Sequence, residues 1–326
     1  MSYFRIGFKV EAGPLVGVGH VMRCVAIAEQ LHELGHKVSF IGKVNDIPWV
    51  QDLLIQYDIK SVDEVSGFPF DAIVVDTYLN AEDWISVWRS LGCLTVLIAD
   101  DSTPKMKADF YIVPGIADNW RPPNNSQFNP ILRGASAILL RRGVLRGAKV
   151  EQNLGITGPS KLFVMLGGSS SKNHLNQILH AITSAQFPAE IHVLGEAPSD
   201  MQWDGIFWHS PTAAIAPLMD KATVLICAAG VSSWEALHRG VPVALVSLAP
   251  NQDTNYSYMS RQRCVLPSGQ IYRGEPLNVA NVRWLLDNPE ARMELGIEGM
   301  QLVDGLGACR AANAILELLE SKNDFR

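Results

Sequence analysis

The chain has 326 residues, and at about 150 residues per domain that length points to two domains. Apolar residues make up 48% and charged residues 18%, which argues against a disordered, collagen-like or coiled-coil chain. The net charge, 27 − 33 = −6, argues against a nucleic-acid binder, which carries a basic domain or stripe. It leaves room for a phosphate-bearing ligand, because backbone amides hold phosphate without basic side chains.

The predicted elements alternate. F-R-I-G-F-K-V (4–10) reads as a strand and is followed by a glycine-rich loop, E-A-G-P-L-V-G-V-G-H. Residues 21–35 carry apolar residues at helical spacing and stop at Gly35, a C′ glycine. Strands follow at 37–42, 72–76 and 94–101, with a helix around A-E-D-W-I-S-V-W-R-S-L-G. The segment 115–160 is rich in proline, asparagine and glycine, and the interdomain connection is expected near 143–158. Strands then return at 161–169, 190–195, 223–230 and 241–248, with a helix at 231–240 and an amphipathic helix at 313–320.

Strands alternating with helices imply parallel sheets with right-handed crossovers. Apolar runs without strict alternation imply sheets covered on both faces. The expected fold is therefore α/β, with two Rossmann-like domains at 1–145 and 158–308. A C-terminal helix at 309–326 is expected to pack back on the first domain. Ligands of open parallel sheets sit outside the carboxyl ends of the strands, so the expected active site is the cleft between the domains.

Cys24, Cys93, Cys227, Cys264 and Cys309 are scattered, with no C-x-x-C pair and no zinc spacing. The expectation is free thiols, no metal and no cofactor. The first residues lack a signal-peptide h-region, and no apolar run reaches the ~18–20 residues of a membrane span. A cytoplasmic location is expected.

Four segments carry candidate chemistry. In the first, Gly17 and Gly19 permit a tight turn and close approach to a ligand, and His20 stands at the loop–helix junction with Arg23, expected to bind substrate, one turn on. An imidazole there can take a proton at neutral pH, or it can cap the helix. In the second, Asp76 and Tyr78 follow a buried strand; Asp76 can orient His20, and Tyr78 can hydrogen-bond a substrate. Asp100 and Asp101 end the next strand; paired acids there can serve a metal or acid catalysis, and they read more readily as a turn or helix cap. In the third, Gly167, Gly168 and Ser169 form a phosphate-facing turn or a surface loop. In the fourth, Gly230, Ser232 and Ser233 stand at a helix N-terminus suited to a diphosphate. Glu235, read as lying on that helix's first turn, can accept ribose hydroxyls. Asn251 and Gln252 offer amides to a sugar.

The elements G-V-G-H-V-M-R-C-V-A-I-A and W-E-A-L-H-R-G-V-P…N-Q resemble those of the UDP-sugar hydrolases of pseudaminic-acid biosynthesis (PseG-like) and the related SpsG proteins. These are relatives of the MurG glycosyltransferases, and the resemblance implies the two-domain GT-B architecture over nearly the whole chain. It implies that water attacks the anomeric carbon of a UDP-linked 2,4-diacetamido-2,4,6-trideoxy-altrose, releasing UDP with inversion. It also implies His20 as the base, with Asp76 and Tyr78 beside it. The nucleotide falls to Gly230, Ser232, Ser233 and Glu235, and the sugar to Asn251 and Gln252. The chain reads G-G-S-S-S at 167–171 and L-L-R-R-G-V-L at 139–145 where the family has G-G-S-D and L-L-R-x-E-F, and Glu11 stands for Asp. These departures bear on the sugar more than on the reaction. The alternatives are an inverting glycosyltransferase on the same scaffold and a non-catalytic sugar-nucleotide binder.

Overall fold

A computed structural model describes residues 3–11, 18–42, 44, 47–62, 70–100, 106–115, 120–123, 130–145, 159–167, 172–197 and 205–324. The chain divides into two compact units. Unit 1 comprises Met1–Arg142 and Gly305–Arg326, and unit 2 comprises Gly143–Asp304. The second unit therefore ends at Asp304, and residues 305–308 return to the first rather than closing the second. Of the expected connection at 143–158, residues 146–158 lie outside the described residues.

Unit 1 holds β1 (Arg5–Val10), α1 (Gly19–Glu33), β2 (Lys37–Ile41), α2 (Pro48–Gln56), β3 (Lys60–Val62), β4 (Ala72–Asp76), α3 (Ala81–Ser90), β5 (Leu94–Ile98), β6 (Phe110–Pro114) and β7 (Ile131–Gly134). All seven strands are parallel, in the order β3-β2-β1-β4-β5-β6-β7. Every residue of β4 and β5 is buried, as apolar runs such as A-I-V-V-D and L-T-V-L-I require when both faces are covered. Ile73, Val75, Leu97 and Tyr111 pack one face against Ala81, Ile85 and Trp88 of α3. Full burial of side chains this large stabilises by about 1.5–3 kcal/mol each. Helix α1 ends as its sequence predicts: Leu34 caps it, and Gly35 follows at φ 87°, a left-handed turn that glycine enters without a Cβ penalty.

The last helix, α10 (Gly307–Asp324), packs on α1. Its first residue has to be glycine, because a side chain there would collide with the Ile138 carbonyl. The apolar patch at 137–140, buried throughout, forms the floor for that helix start.

Unit 2 holds β8 (Ser160–Met165), α4 (Lys172–Ala185), β9 (Ala189–Leu194), β10 (Ile206–His209), α5 (Ala216–Met219), β11 (Val224–Ala228), α6 (Val231–His238), β12 (Val243–Ser247), α7 (Asp253–Arg261), β13 (Leu266–Gln270), α8 (Val279–Asp287) and α9 (Pro289–Leu302). The strand order is β10-β9-β8-β11-β12-β13, again all parallel. Leu162, Val164, Ile226 and Val246 bury one face under Ile178, Ile182 and Leu285 of α4 and α8. Helix α9 packs on α6, closely enough that Gly296 meets the Gly240 carbonyl where a side chain would intrude.

The strand order reverses direction between β1 and β4 in unit 1, and between β8 and β11 in unit 2. A loop leaving the carboxyl end of one of these strands turns away from its neighbour's loop, and the crevice opened there is where such sheets take ligands. The described residues of the first and second candidate segments fall at the first of these points, and those of the third and fourth at the second.

Candidate active site

In unit 1 the register pairs Val10, the last residue of β1, with Asp76, the last residue of β4. Helix α1 begins just beyond β1, so its first turn stands over the Asp76 carboxylate. The structure brings three of the expected residues together there. His20 Nδ1 lies 2.6 Å from Asp76 Oδ1. Arg23, one turn along the same helix face, donates from Nε to Oδ2 and from Nη2 to Oδ1, both at 2.5 Å. Asp76 is 1% exposed, while the His20 and Arg23 side chains keep 12% and 13%. The carboxylate is thus sunk beneath a histidine and an arginine that still reach solvent.

The charges settle the protonation pattern. Burial by itself would push the Asp76 carboxyl up. The Arg23 guanidinium, and then His20, outweigh that and hold it well below the usual carboxylate range. Burial works against the Arg23 charge too, but Asp76 more than offsets it and the guanidinium stays firmly protonated. An ionised Asp76 accepts hydrogens only, so His20 presents Nδ1–H to it and turns Nε2 away from the carboxylate. The 3.1 Å approach of Arg23 Nη2 to His20 Nδ1 is then two donors converging on one oxygen. An imidazole oriented in this way by a buried carboxylate acts as a general base, and the carboxylate stabilises the imidazolium that forms.

Arg23, expected to bind substrate, instead spends its fork on Asp76. A bidentate guanidinium–carboxylate pair is the strongest arrangement open to either group, and it fixes the carboxylate that fixes the histidine. Tyr78 sits edge-on to the His20 ring, with centroids 5.0 Å apart at 85°. Its hydroxyl donates to Asp100 Oδ2 at 2.7 Å, and burial together with the Asp100 charge pushes that hydroxyl up, so it stays neutral. Asp100 also lies 3.8 Å from Arg23 Nη2, which makes it a member of the cluster rather than a bare turn cap. Asp101 and Gly17 lie outside the described residues, and Gly19 is the first residue of α1.

In unit 2 the chain leaves β11 through a tight turn in which Gly230 N–H donates to the Ala228 carbonyl at 2.7 Å. Gly230 is the N-cap of α6 and offers no capping side chain. The space where its Cβ would stand is open, so a ligand can approach the backbone. A helix start with no capping side chain and no acid in its first turn favours an anion. Ser232 is partly exposed beside it.

Two expectations for this turn are corrected. Ser233 is fully buried, and its hydroxyl donates to the Gly230 carbonyl at 2.6 Å. A serine three residues along a helix readily bonds back in this way, so it braces the turn instead of facing a phosphate. Glu235 lies one residue past the first turn and is buried. Its charge, after burial itself, helps push the neighbouring Cys227 thiol up.

Gly167, at φ 81°, follows β8 on the other side of the same switch point, while Gly168 and Ser169 lie outside the described residues. After β12, Asn251 is exposed on a 3-10 turn, Pro250–Gln252. Gln252 uses its side-chain carbonyl to accept the Leu248 N–H at 2.8 Å, which leaves its NH2 as a donor. Asn255 of α7 donates to the Ala229 carbonyl at 3.4 Å, bracing the glycine turn from outside. Asn255 did not stand out in the sequence, and Asp100 did so only as one of a pair of strand-end acids. The available signals were their places just after a buried strand and just inside a helix.

Among the described residues, no group of three or more His, Cys, Asp or Glu side chains can hold a metal ion. No helix among them is long and apolar enough to cross a membrane.

No protein-family model matches the chain. The spore coat polysaccharide biosynthesis protein SpsG of Bacillus subtilis (strain 168) is 21% identical over 343 aligned positions, covering 98% of this chain and 99% of that protein. Among solved structures, the spinosyn forosaminyltransferase SpnP matches with a TM-score of 0.71 at 13% identity, covering 98% of this chain and 100% of that one. MurG of Acinetobacter baumannii matches with a TM-score of 0.64 at 14% identity, covering 96% and 99%. The fold is therefore the GT-B fold of these proteins: two Rossmann-like α/β units in one chain, each built on a parallel sheet.

Proposed function

We propose that the protein is an enzyme acting on a nucleotide sugar, and that it transfers the sugar to an acceptor hydroxyl with inversion. The observation that carries this reading is the His20–Asp76 pair, 2.6 Å apart and locked by Arg23 at the switch point of unit 1. His20 Nε2 takes the acceptor's proton as its oxygen attacks the anomeric carbon. The bond from that carbon to the diphosphate oxygen breaks on the opposite side, and the nucleoside diphosphate leaves with the electron pair. Its charge falls on the first turn of α6 and on Ser232. Asn251 and Gln252 hold the sugar. The transferase named among the structural neighbours and the polysaccharide-biosynthesis role in the name of the full-length relative support this class. Five free cysteines suit a reducing, cytoplasmic setting.

Hydrolysis is the second reading, with water in place of the acceptor and a UDP-linked diacetamido sugar of the pseudaminic-acid type as donor. What favours it is the loop–helix element itself, G-V-G-H-V-M-R-C-V-A-I-A, the part of the chain that most resembles the hydrolases. The test is nucleotide release from a panel of UDP-, GDP- and CMP-sugars, with and without acceptor sugars. Transfer predicts release only with an acceptor; hydrolysis predicts release without one. Either activity has to vanish in His20→Ala, and release that survives in that variant contradicts both.

A further inference from the structure

The turn after β12 is held by a network that the reaction above does not use. Its centre is Asp253, the first residue of α7. Asp253 Oδ1 accepts from Ser247 Oγ and from Gln270 Nε2, each at 2.9 Å. Oδ2 accepts from the Tyr272 hydroxyl at 2.5 Å and from Arg273 Nη2 at 2.6 Å. Arg273 Nε in turn donates to the Tyr272 hydroxyl at 2.7 Å. Ser247 and Gln270 are the last residues of β12 and β13, so one carboxylate ties the start of α7 to the ends of two adjacent strands. An acid at a helix start gains from the helix dipole without any of these partners. Four donors from three segments therefore call for another explanation.

That explanation lies in what the network encloses. The chain from Leu248 to Gln252 is a short turn with an anchor at each end. Gln252 is bonded back to the Leu248 N–H, and Asp253 follows it directly. Asn251 projects, exposed, from the middle. A turn this short, pinned on both sides, leaves its amides little freedom, and contacts to a ligand gain when their own supports are rigid.

We infer that Asp253 is a positioning residue: through the Ser247–Gln270–Tyr272–Arg273 network it fixes the 248–252 turn so that Asn251 and Gln252 meet the sugar of the donor. It does not itself touch the sugar. This rests on the nucleotide-sugar reading above. Because the diphosphate belongs to the Gly230 turn, loosening Asp253 weakens binding of the sugar while leaving binding of the free nucleotide in place.

The test uses the full chain with Asp253→Asn, which keeps the side chain's shape, and Tyr272→Phe, which removes one donor and serves if the first variant fails to fold. Two quantities are measured: affinity for UDP and for UDP-N-acetylglucosamine, and hydrogen exchange at the Leu248 amide. Asp253→Asn is expected to lose about tenfold in affinity for the nucleotide sugar, a modest share of what a displaced contact group costs. UDP affinity stays within about twofold, and Leu248 exchange speeds up. Tyr272→Phe shifts both readings the same way by less. Unchanged exchange overturns the inference, and so does faster exchange with undiminished affinity for the nucleotide sugar, or an equal loss for both ligands. If the parent protein binds neither ligand, the nucleotide-sugar reading fails, and the exchange rate alone decides whether Asp253 fixes the turn.

Discussion

The two units share a strand order and a switch point, yet they fill that point with opposite chemistry. Unit 1 places polar side chains there: a buried carboxylate, a guanidinium forked onto it, and a histidine held by the same carboxylate. Unit 2 places backbone there: a glycine turn, an uncapped helix start and a serine bonded back to the turn. Topology fixes where a ligand meets the sheet and leaves open what it meets. A proton transfer needs a titratable group held in one orientation, and a diphosphate needs converging N–H groups, so the contrast matches the two halves of the proposed reaction.

The largest predicted effect lies on the ionic side. His20→Ala is expected to lower kcat/KM by about 10²–10⁴, the usual worth of a general base, as measured by nucleotide release. Asp76→Asn keeps the shape but removes the charge that selects the Nδ1–H tautomer, and a loss of about 10²-fold or more is expected in the same assay. Asp76 also sets a pH dependence of stability. Its folded-state pKa is depressed by Arg23 and His20 against the opposing effect of burial. Its contribution is therefore complete above the ordinary aspartate value of about 3.9 and is lost as pH falls below it. Acid unfolding of Asp76→Asn, followed by circular dichroism, is expected to lose that portion of its pH dependence.

A smaller effect of opposite sign comes from Glu29 on α1. Burial pushes its carboxyl up to about 7, against the Arg142 N–H and the Tyr57 hydroxyl, which favour the charged form. Its Oε2 is buried without a hydrogen-bond partner. The folded state holds the proton more tightly than the unfolded chain, so stability is greatest below about 4.3 and declines as pH rises through about 7. Glu29→Gln is expected to raise the melting temperature at pH 8, by an amount equivalent to on the order of 2 kcal/mol, and to change nothing at pH 4. Equal melting shifts at both values would remove Glu29 as the cause.

The smallest effects belong to the backbone-built side and separate two adjacent serines. Ser232→Ala is expected to weaken UDP binding by roughly threefold to tenfold, as loss of one ordinary hydrogen bond does. Ser233→Ala is expected to lower the melting temperature with UDP affinity nearly unchanged, since its hydroxyl serves Gly230. Calorimetry on both variants checks the pair, and the reverse pattern would restore Ser233 as a phosphate ligand.

Much of the fold is legible in the sequence, and most of the missed strands share one cause. The strands read directly, such as 72–76 and 223–230, are central and apolar on both faces. β3, β7, β10 and β13 are the four sheet edges, and their sequences, such as K-S-V and L-P-S-G-Q, carry polar residues because one side meets solvent. β6 does not share this cause: F-Y-I-V-P is apolar and mostly buried between β5 and β7. In the site, His20 and Asp76 are legible because each follows a strand of known direction. The roles of Arg23 and Ser233 are not, because a side chain's partner depends on which strand comes to lie alongside. Asp253 was hidden for the same reason: its partners at Gln270, Tyr272 and Arg273 lie well along the chain, on and just past an edge strand.

The division of labour between the units is tested most directly by comparing donor binding with turnover in His20→Ala. The account predicts that the variant binds the nucleotide sugar within about threefold of the parent protein, because the proposed nucleotide site lies in unit 2, while release falls at least about 100-fold. Binding and turnover lost together, or turnover retained, would contradict it.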